Sequence, residues 1–439
     1  MGTPGGQQNV GRRQVLKLAT GAVGGLALTT SACDVIGGAP EEAKPLARTP
    51  LWTLALLDKD GSGKGFDHVV HQDGVLYVRS KNEGLYAIDA ATGRERWRAP
   101  LAGALPGAPA VTSRAVFVAT DGGAVHALRT ADGEQMWRQA PASRLREPSA
   151  GAVWTSGSVA LVSFLPHTYD DDPDPPPIAL YALDTRNGDL LWHTEASILE
   201  VRDGLAYVNP PDKSLTALDP RTGAVRWSAP PEKSGGRCTL DAYAAGLLFG
   251  RDGNVGIGSK LVAYDPRTGD VRWTAPAAHA SVAVAHGDAV YISAPGRRRG
   301  DQQELQAFDA TSGKRRWTAP AFSTTLNESP DIAADRDCAY LSWSEDSIDE
   351  DRTTLRAYDA HTGRERWRSR RPDSSYAADV APGNLLFICY LRDWYCYDTS
   401  TGKALWRVSA GESTSGPPPL AADGLLYFAN DEGVHALRL

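Results

Sequence analysis

Carboxylates crowd one short stretch of this 439-residue chain, Asp170, Asp171, Asp172 and Asp174, just before a run of prolines. Clustered oxygen donors are what a hard cation such as Ca²⁺ requires. A proline segment, however, holds the chain extended and leaves such acids solvated, so no metal site is assigned. Asp58-Lys59-Asp60-Gly61-Ser62-Gly63 opens like a calcium-binding helix-loop-helix motif. Its twelfth position is Val69, where the loop needs a bidentate Glu, so it reads as a turn. Gly256-Ile257-Gly258 and Gly61-Ser62-Gly63-Lys64 are fragments of phosphate loops with no helix to follow. The nine histidines show no metal spacing, and no Ser-elbow, zinc-helix or paired-carboxylate pattern is present, so no catalytic residue is assigned. Cys389 and Cys396 lie on consecutive strand-like runs, FICYL and WYCY. A two-residue turn at Arg392-Asp393 would set them opposite each other, within disulfide reach; the alternative is two buried thiols. Cys238 and Cys338 fall in separate units and are not expected to pair.

What must position any such residues is a repeat. One phrase occurs eight times, each time with Trp four residues after Gly: LYAIDAATGRERW (85–97), VHALRTADGEQMW (125–137), LYALDTRNGDLLW (180–192), LTALDPRTGAVRW (215–227), LVAYDPRTGDVRW (261–273), LQAFDATSGKRRW (305–317), LRAYDAHTGRERW (355–367) and WYCYDTSTGKALW (394–406). Asp stands at the fifth position in all but the second copy, where Arg129 replaces it. Two alternating apolar runs precede each phrase, as in HVVHQDG-VLYVRS, and alternation at period two is the strand signal. The phrase adds a third strand, a tight turn and a fourth strand. The Asp can accept from turn amides, and the Gly can take positive φ. Four antiparallel strands repeated around a ring make an all-β propeller, which leaves few exposed sheet edges.

A ninth copy begins at Val434 as VHALRL, and its tryptophan half sits in PLWTLAL near the N-terminus. The strand around Trp52 is therefore expected to close the last blade, whose inner three strands come from residues 415–439. Counting second strands gives nine units, and the fourth is the shortest, with Trp192 and Trp227 only 35 residues apart. Eight or nine blades both remain open on the sequence. Trp52, Trp97, Trp137, Trp192, Trp227, Trp273, Trp317, Trp367 and Trp406 are read as structural, each docking one blade on the next. The D-x-x-T-G turns must all lie on one face. The irregular loops 165–179, 251–260, 295–304 and 344–354 emerge on the other, where binding function is expected.

The N-terminus reads separately. Arg12-Arg13 precede a mildly apolar stretch and Thr30-Ser31-Ala32-Cys33, which resembles a twin-arginine export signal with a lipoprotein cleavage site. Val15 and Thr30 depart from the commonest residues of that pattern. A signal-anchor helix is the alternative, though the stretch is short and glycine-rich for spanning a bilayer of ~30 Å hydrocarbon. The expected organisation is a signal peptide at 1–32, a flexible tether at 33–49 with lipid on Cys33, and the propeller at 50–439. The chain carries a formal −7. Without the three basic residues of 1–32 the remainder carries −10, which argues against nucleic acid as a partner.

The A-x-D-x-x-T-G-x-x-x-W phrase, repeated over 50–439, resembles the repeat of the PQQ-like propellers, a family of quinoprotein dehydrogenases and outer-membrane assembly lipoproteins. Eight blades is that family's norm. The resemblance implies an exported, lipid-anchored, non-catalytic protein-binding or scaffolding module facing the extracellular side or the periplasm, with an unidentified protein partner. The rival readings are a quinoprotein-type dehydrogenase holding PQQ with calcium, and a sensor or solute-binding ectodomain. The family's dehydrogenases carry adjacent cysteines over the quinone; this chain has none, so no cofactor is expected.

Overall fold

The computed structural model describes residues 46–47, 49–55, 66–80, 84–103, 105, 107–145, 147–166, 178–212, 214–229, 238–254, 258–277, 283–295, 302–319, 322–323, 330–343, 354–370, 375–381, 383–390, 393–409, 419–429 and 433–439. Among them the strands pair into nine sheets, each built on a four-stranded antiparallel blade; eight blades use four successive strands, the ninth is closed by Trp52–Ala55, and two sheets carry a further short strand. Blade 1 runs Phe66–Gln72, Val75–Ser80, Gly84–Asp89, Glu95–Pro100, and each later blade repeats that order. The nine-unit count holds because the short fourth unit is complete: Ser197–Arg202, Leu205–Asn209, Leu215–Leu218 and Val225–Ala229 form a full blade. Its strands simply meet through short turns.

First strands of successive blades touch one another at six of the nine seams, including Leu420–Ala422 of blade 9 against Phe66–Gln72 of blade 1. They therefore form the inner wall, and fourth strands the rim. Second and third strands are buried on both faces, whereas fourth strands alternate with exposed residues. The core is divided accordingly into nine apolar clusters, each lying between two neighbouring blades.

Inside a blade the register explains the phrase. Tyr77, Ala87 and Trp97 stand side by side on strands two, three and four. The Ala, fully buried, is small enough to let both rings lean across it, with centroids 6.0 Å apart. The same aromatic–Ala–Trp row recurs as Phe117–Trp137 at 5.8 Å, Tyr207–Trp227 at 5.9 Å and Tyr291–Trp317 at 5.9 Å. Each indole then reaches the next blade. Trp227 Nε1 donates to Pro266 O at 2.9 Å, and its ring lies over Gly269. Equivalent bonds run from Trp52, Trp97, Trp137, Trp192, Trp273, Trp317 and Trp367 to the residue after the turn's first position in the following blade.

The glycine is required twice over. Gly269 has φ of +76°, and a Cβ there would stand 2.4 Å from Trp227 Cε3. In the turn itself Asp89 Oδ1 accepts from Thr92 N at 3.0 Å and Thr92 Oγ1 at 2.8 Å, while Gly93 N donates to Asp89 O at 2.8 Å. Blade 2 keeps this pattern with the charges moved: Arg129 pairs with Asp132 at 2.8 Å and Glu134 at 2.9 Å.

Trp52–Ala55 is the fourth strand of blade 9, pairing Trp52 with Ala436 and Thr53 with His435. Strands far apart in sequence thus share one sheet. His71 Nε2 meets Asp423 Oδ2 at 3.0 Å across the same 9–1 seam. Within the stretch read as tether, Leu46–Ala47 lies parallel on the outer strand of blade 8, Leu46 beside Trp406. Backbone pairing there begins before residue 50.

Gly269→Ala should cost several kcal/mol, because strain of about 1–2 kcal/mol at positive φ adds to a clash with the indole. Gly74→Ala, at φ +72° with nothing within 4 Å, should cost only the strain. Denaturant unfolding of both variants checks this; equal losses would mean that the indole contact does not matter.

Candidate binding rim

The two faces of the ring differ in how their strands end. On the face of the D-x-x-T-G turns, the side chain just before the Trp is the organiser. In all eight fourth strands that follow such a turn the ladder skips that residue, a β-bulge. In blade 1 this residue is Arg96, aimed at Asp89 Oδ2 at 2.7 Å. Arg272–Asp265 at 2.6 Å and Arg366–Asp359 at 2.6 Å repeat the pair, and Arg226–Asp219 is tighter still. Arg316 also holds Asp288 of the first hairpin at 2.9 and 2.7 Å. The Arg226 guanidinium keeps Asp219 down at about 2, and Arg316 does the same for Asp309. Apart from Arg316 the guanidiniums are well exposed and the carboxylates half-buried, so each pair is partly screened by solvent. This face is a repetitive charged lattice with its partners satisfied internally.

On the opposite face second strands end and third strands begin, and there polar side chains are buried in the sheet itself. Arg79, Thr120, Ser163, Asn209, Ser293 and Ser342 are each no more than 5% exposed. Strand ends leave amides and carbonyls without ladder partners, and buried ones must be satisfied. Asn209 Nδ2 donates to Ser214 O at 2.7 Å, and Ser163 Oγ accepts the Ile198 amide of the next blade at 3.0 Å.

Blade 5 carries the most charged example. Arg251 Nε and Nη2 donate to Asp241 at 2.8 and 3.4 Å, with the carboxylate side chain 5% exposed. The same carboxylate accepts the Ala283 amide of blade 6 at 3.2 Å. Thr239 and Arg251 exchange two further bonds at 2.8 and 3.0 Å. Asp252, Glu304 and Asp331 are buried at the same level in blades 5 to 7. The root of the loop 251–260 is therefore tied to blade 6 through Asp241, and buried acids stand at the roots of the next two blades. Sequence reasoning reached the loops but missed these roots. The signal was readable, as a polar residue two positions after the second-strand aromatic in Arg79, Asn209, Arg251, Ser293 and Ser342, and after Leu161 in Ser163.

The cysteine expectation needs correction in its geometry. The hairpin pairs Tyr390 with Asp393, so Cys389 faces Trp394 and Cys396 faces Phe387. The two cysteines are diagonal, about 7–8 Å apart in such a ladder, beyond the ~4 Å between Cβ atoms that a disulfide needs. Cys396 occupies the alanine slot of blade 8, between Phe387 and Trp406, where a small apolar side chain is required. Burial pushes the Cys238 and Cys338 thiols up to about 11, away from thiolate chemistry. Among the described residues no three His, Cys, Asp or Glu side chains converge to hold a metal. Trp406 is buried in the 8–9 interface with Phe387, Leu426, Phe428 and Leu437. Arg12, Arg13 and Cys33, the stretch 58–63, and Asp170, Asp171, Asp172 and Asp174 lie outside the described residues.

Arg251→Met should destabilise the ring by about 3–5 kcal/mol by leaving Asp241 buried without its counter-charge. The double variant Arg251→Met/Asp241→Leu should recover most of that loss. Chemical denaturation of the three proteins measures the coupling; additive losses would show that the pair is not a unit. On the other face, a carboxylate whose pKa is lowered on folding stabilises above its unfolded value of about 4 and loses that stabilisation as pH falls toward 2. Arg316→Met should therefore be less stable than the parent above pH 4 and match it near pH 2, as read by thermal melts across that window.

No curated protein matches the sequence. Three solved structures share its architecture. BamB from Moraxella catarrhalis aligns at 14% identity and TM-score 0.50, over 88% of this chain and 96% of that one. Quinohemoprotein alcohol dehydrogenase from Comamonas testosteroni aligns at 15% and 0.54, over 88% and 73%. The computationally designed Ika8 protein aligns at 12% and 0.51, over 88% and 99%. At these identities the likeness is one of fold. A family model described as outer membrane protein assembly factor BamB matches residues 44–198, 176–348, 258–386 and 351–438. The chain, covered almost throughout its propeller, belongs to that family of PQQ-like β-propellers.

Proposed function

We propose that this protein is an envelope-associated scaffold that binds a protein partner through the irregular face, with the ring as a rigid support. The observation that carries the reading is the buried polar layer beneath the loops of blades 5 to 7, centred on Asp241 and Arg251. The Asp241 contacts tie the root of the blade 5 loop to blade 6, so that a varied surface is presented on a preorganised base. Family membership supports a protein-binding role, and the fold is shared with dehydrogenases as well.

The scaffold reading assigns no quinone, because none of the five cysteines are neighbours in sequence, as they are in the family's dehydrogenases. In the same reading the chain is exported through the Arg12-Arg13 signal and anchored by lipid on Cys33. The partner is approached from the face away from the D-x-x-T-G turns.

Crosslinking in membranes followed by mass spectrometry tests the first claim, comparing the parent with a variant whose residues 345–353 are replaced by a short Gly-Asp turn. The expected result is a partner recovered with the parent, and at least tenfold depleted with the variant, at unchanged melting temperature. Equal recovery would move the interface elsewhere. Dye-linked alcohol oxidation after reconstitution with PQQ and Ca²⁺ would replace the scaffold reading altogether. For the anchor, Cys33→Ala should shift the protein from the membrane to the soluble fraction; full membrane retention would rule out lipidation there.

A further inference from the structure

Each blade ends in an outer strand with one edge turned away from its own sheet, and such an edge is a template for a further strand. One of these edges is taken by the chain itself. Leu46–Ala47 lies parallel on Ala404–Ser409 of blade 8, with Leu46 beside Trp406 and Ala47 beside Arg407. The molecule thereby displays what its rim accepts: a short aliphatic segment running parallel to the outer strand.

The two residues before the Trp decide which other edge is open in the same way. They are Glu95-Arg96, Arg315-Arg316 and Glu365-Arg366 in blades 1, 6 and 7, and Val225-Arg226 and Val271-Arg272 in blades 4 and 5. Charges on an edge strand discourage pairing. Blade 2 has Gln135-Met136 with Arg138 just beyond, and blade 9 has Pro50-Leu51. Two aliphatic residues stand there only in blade 8, Ala404-Leu405, and in blade 3, Leu190-Leu191. The outer strand of blade 3, Leu190–Glu195, is six residues long and contains neither Gly nor Pro. It forms the edge of its sheet, Leu190 is 50% exposed, and His193, Thr194 and Glu195 are exposed as well.

Charge selects the occupant. Asp189 and Glu195 are exposed at the two ends of the blade 3 strand. Two such strands laid antiparallel, one from each of two rings, would set Asp189 beside Glu195 twice, and like charges across a ladder destabilise it. The segment seated on blade 8 has the opposite character, since Lys44 and Arg48 flank Leu46-Ala47 in sequence. Its seat there offers the exposed Lys403 and Arg407. Placed on blade 3 in the same register, with Leu46 beside Trp192 and Ala47 beside His193, the segment would bring Lys44 to the Asp189 end and Arg48 to the Glu195 end.

We propose that the outer edge of blade 3 receives the Lys44–Arg48 segment of a second copy of this chain as a fifth, parallel strand. The contact is heterologous: each ring gives from its blade 8 side and receives at blade 3, so rings join head to tail. The two sites are five blades apart in a ring of nine, close to opposite, and repeating the contact extends a row instead of closing a small ring. From Ala47 to Trp52 the chain reaches at most ~17 Å, so the rims must meet edge to edge. The exposed Met136, Val225 and Val271 on the outer strands of blades 2, 4 and 5 add apolar surface to that approach.

Cysteine crosslinking between full-length chains tests the proposal. Protein carrying Ala47→Cys is mixed with protein carrying His193→Cys and oxidised, and peptide mapping identifies the joined residues. Strands in the stated register hold these positions ~5 Å apart, within disulfide reach. The expected product is a two-chain species linked between positions 47 and 193, in a yield that rises with concentration. That yield should exceed at least tenfold the yield obtained when Arg368→Cys, in the outer strand of blade 7, replaces His193→Cys. Adding Leu190→Glu to the acceptor should lower it at least tenfold, and this variant copies Glu95 and Glu365 at the same position of folded blades. Asp189→Lys/Glu195→Lys should lower it to the same extent. Equal yields from blades 3 and 7 overturn the proposal, as does a yield untouched by Leu190→Glu; either result leaves the edge to a different occupant or to none.

Discussion

The indole laid on a glycine of the next blade is the contact on which this architecture depends. It fixes three residue types at once. The turn must have glycine, because a Cβ would enter the ring and the backbone is left-handed there. The third strand must have a small residue beside the Trp, because the second-strand aromatic needs the same space. The residue after the Asp must leave its carbonyl free for the indole N–H, as Pro220 and Pro266 do without altering the bond. The bulge before each Trp then follows from geometry: it turns the strand end so that the ring reaches across the seam, while in blades 1, 4, 5, 6 and 7 the preceding Arg folds back over its own turn.

Because the contact is directional, each blade gives a tryptophan forward and receives one from behind. Eight seams use it. At the seam from blade 8 to blade 9 the receiving turn does not exist, since the strands it would join lie at opposite ends of the sequence. Trp406 is instead enclosed by Phe387, Leu426, Phe428 and Leu437, with Leu46–Ala47 laid alongside as a fifth strand. A continuous ring and a chain with two ends are incompatible at one place, and the molecule concentrates that incompatibility in blade 9. His71–Asp423 and Thr53–His435 sit at that same place, so the polar contacts least typical of the repeat gather where the repeat is broken.

How much of this was legible depended on periodicity. Blade number, strand order and the closing role of Trp52 follow from a phrase repeated often enough to be aligned with itself. The short fourth unit left eight and nine open, because the sequence shows the distance between Trp192 and Trp227 but not that strands of four to six residues complete a blade within it. The cysteine pair was misplaced by two residues of register. Hairpin turns shift pairing in steps that alternation alone does not resolve, since a two-residue slip keeps the same face inward. Aligning Cys396 with Ala87, Ala127 and Ala182 would have identified its slot. The polar roots were hidden for a different reason: single residues such as Ser163 and Asn209 resemble ordinary loop boundaries until their burial is seen.

That contrast bears on where recognition can evolve in such a ring. On the turn face the Gly and the residue after the Asp are tied to the dock. In five blades the Asp and Arg side chains are also engaged with each other, and a substitution at the dock disturbs the seam before it creates a surface. On the opposite face the dock imposes nothing. The constraint passes instead to the strand ends, whose buried amides and carbonyls need polar partners whatever the loops above them do. Once Asp241, Arg251 and their neighbours meet that need within the sheet, the segments beyond are free to vary in length and charge at little cost to the core. The face with the weaker sequence signature is thus the one whose chemistry can change independently of the fold, and the strength of the tryptophan repeat marks the surface least able to do so.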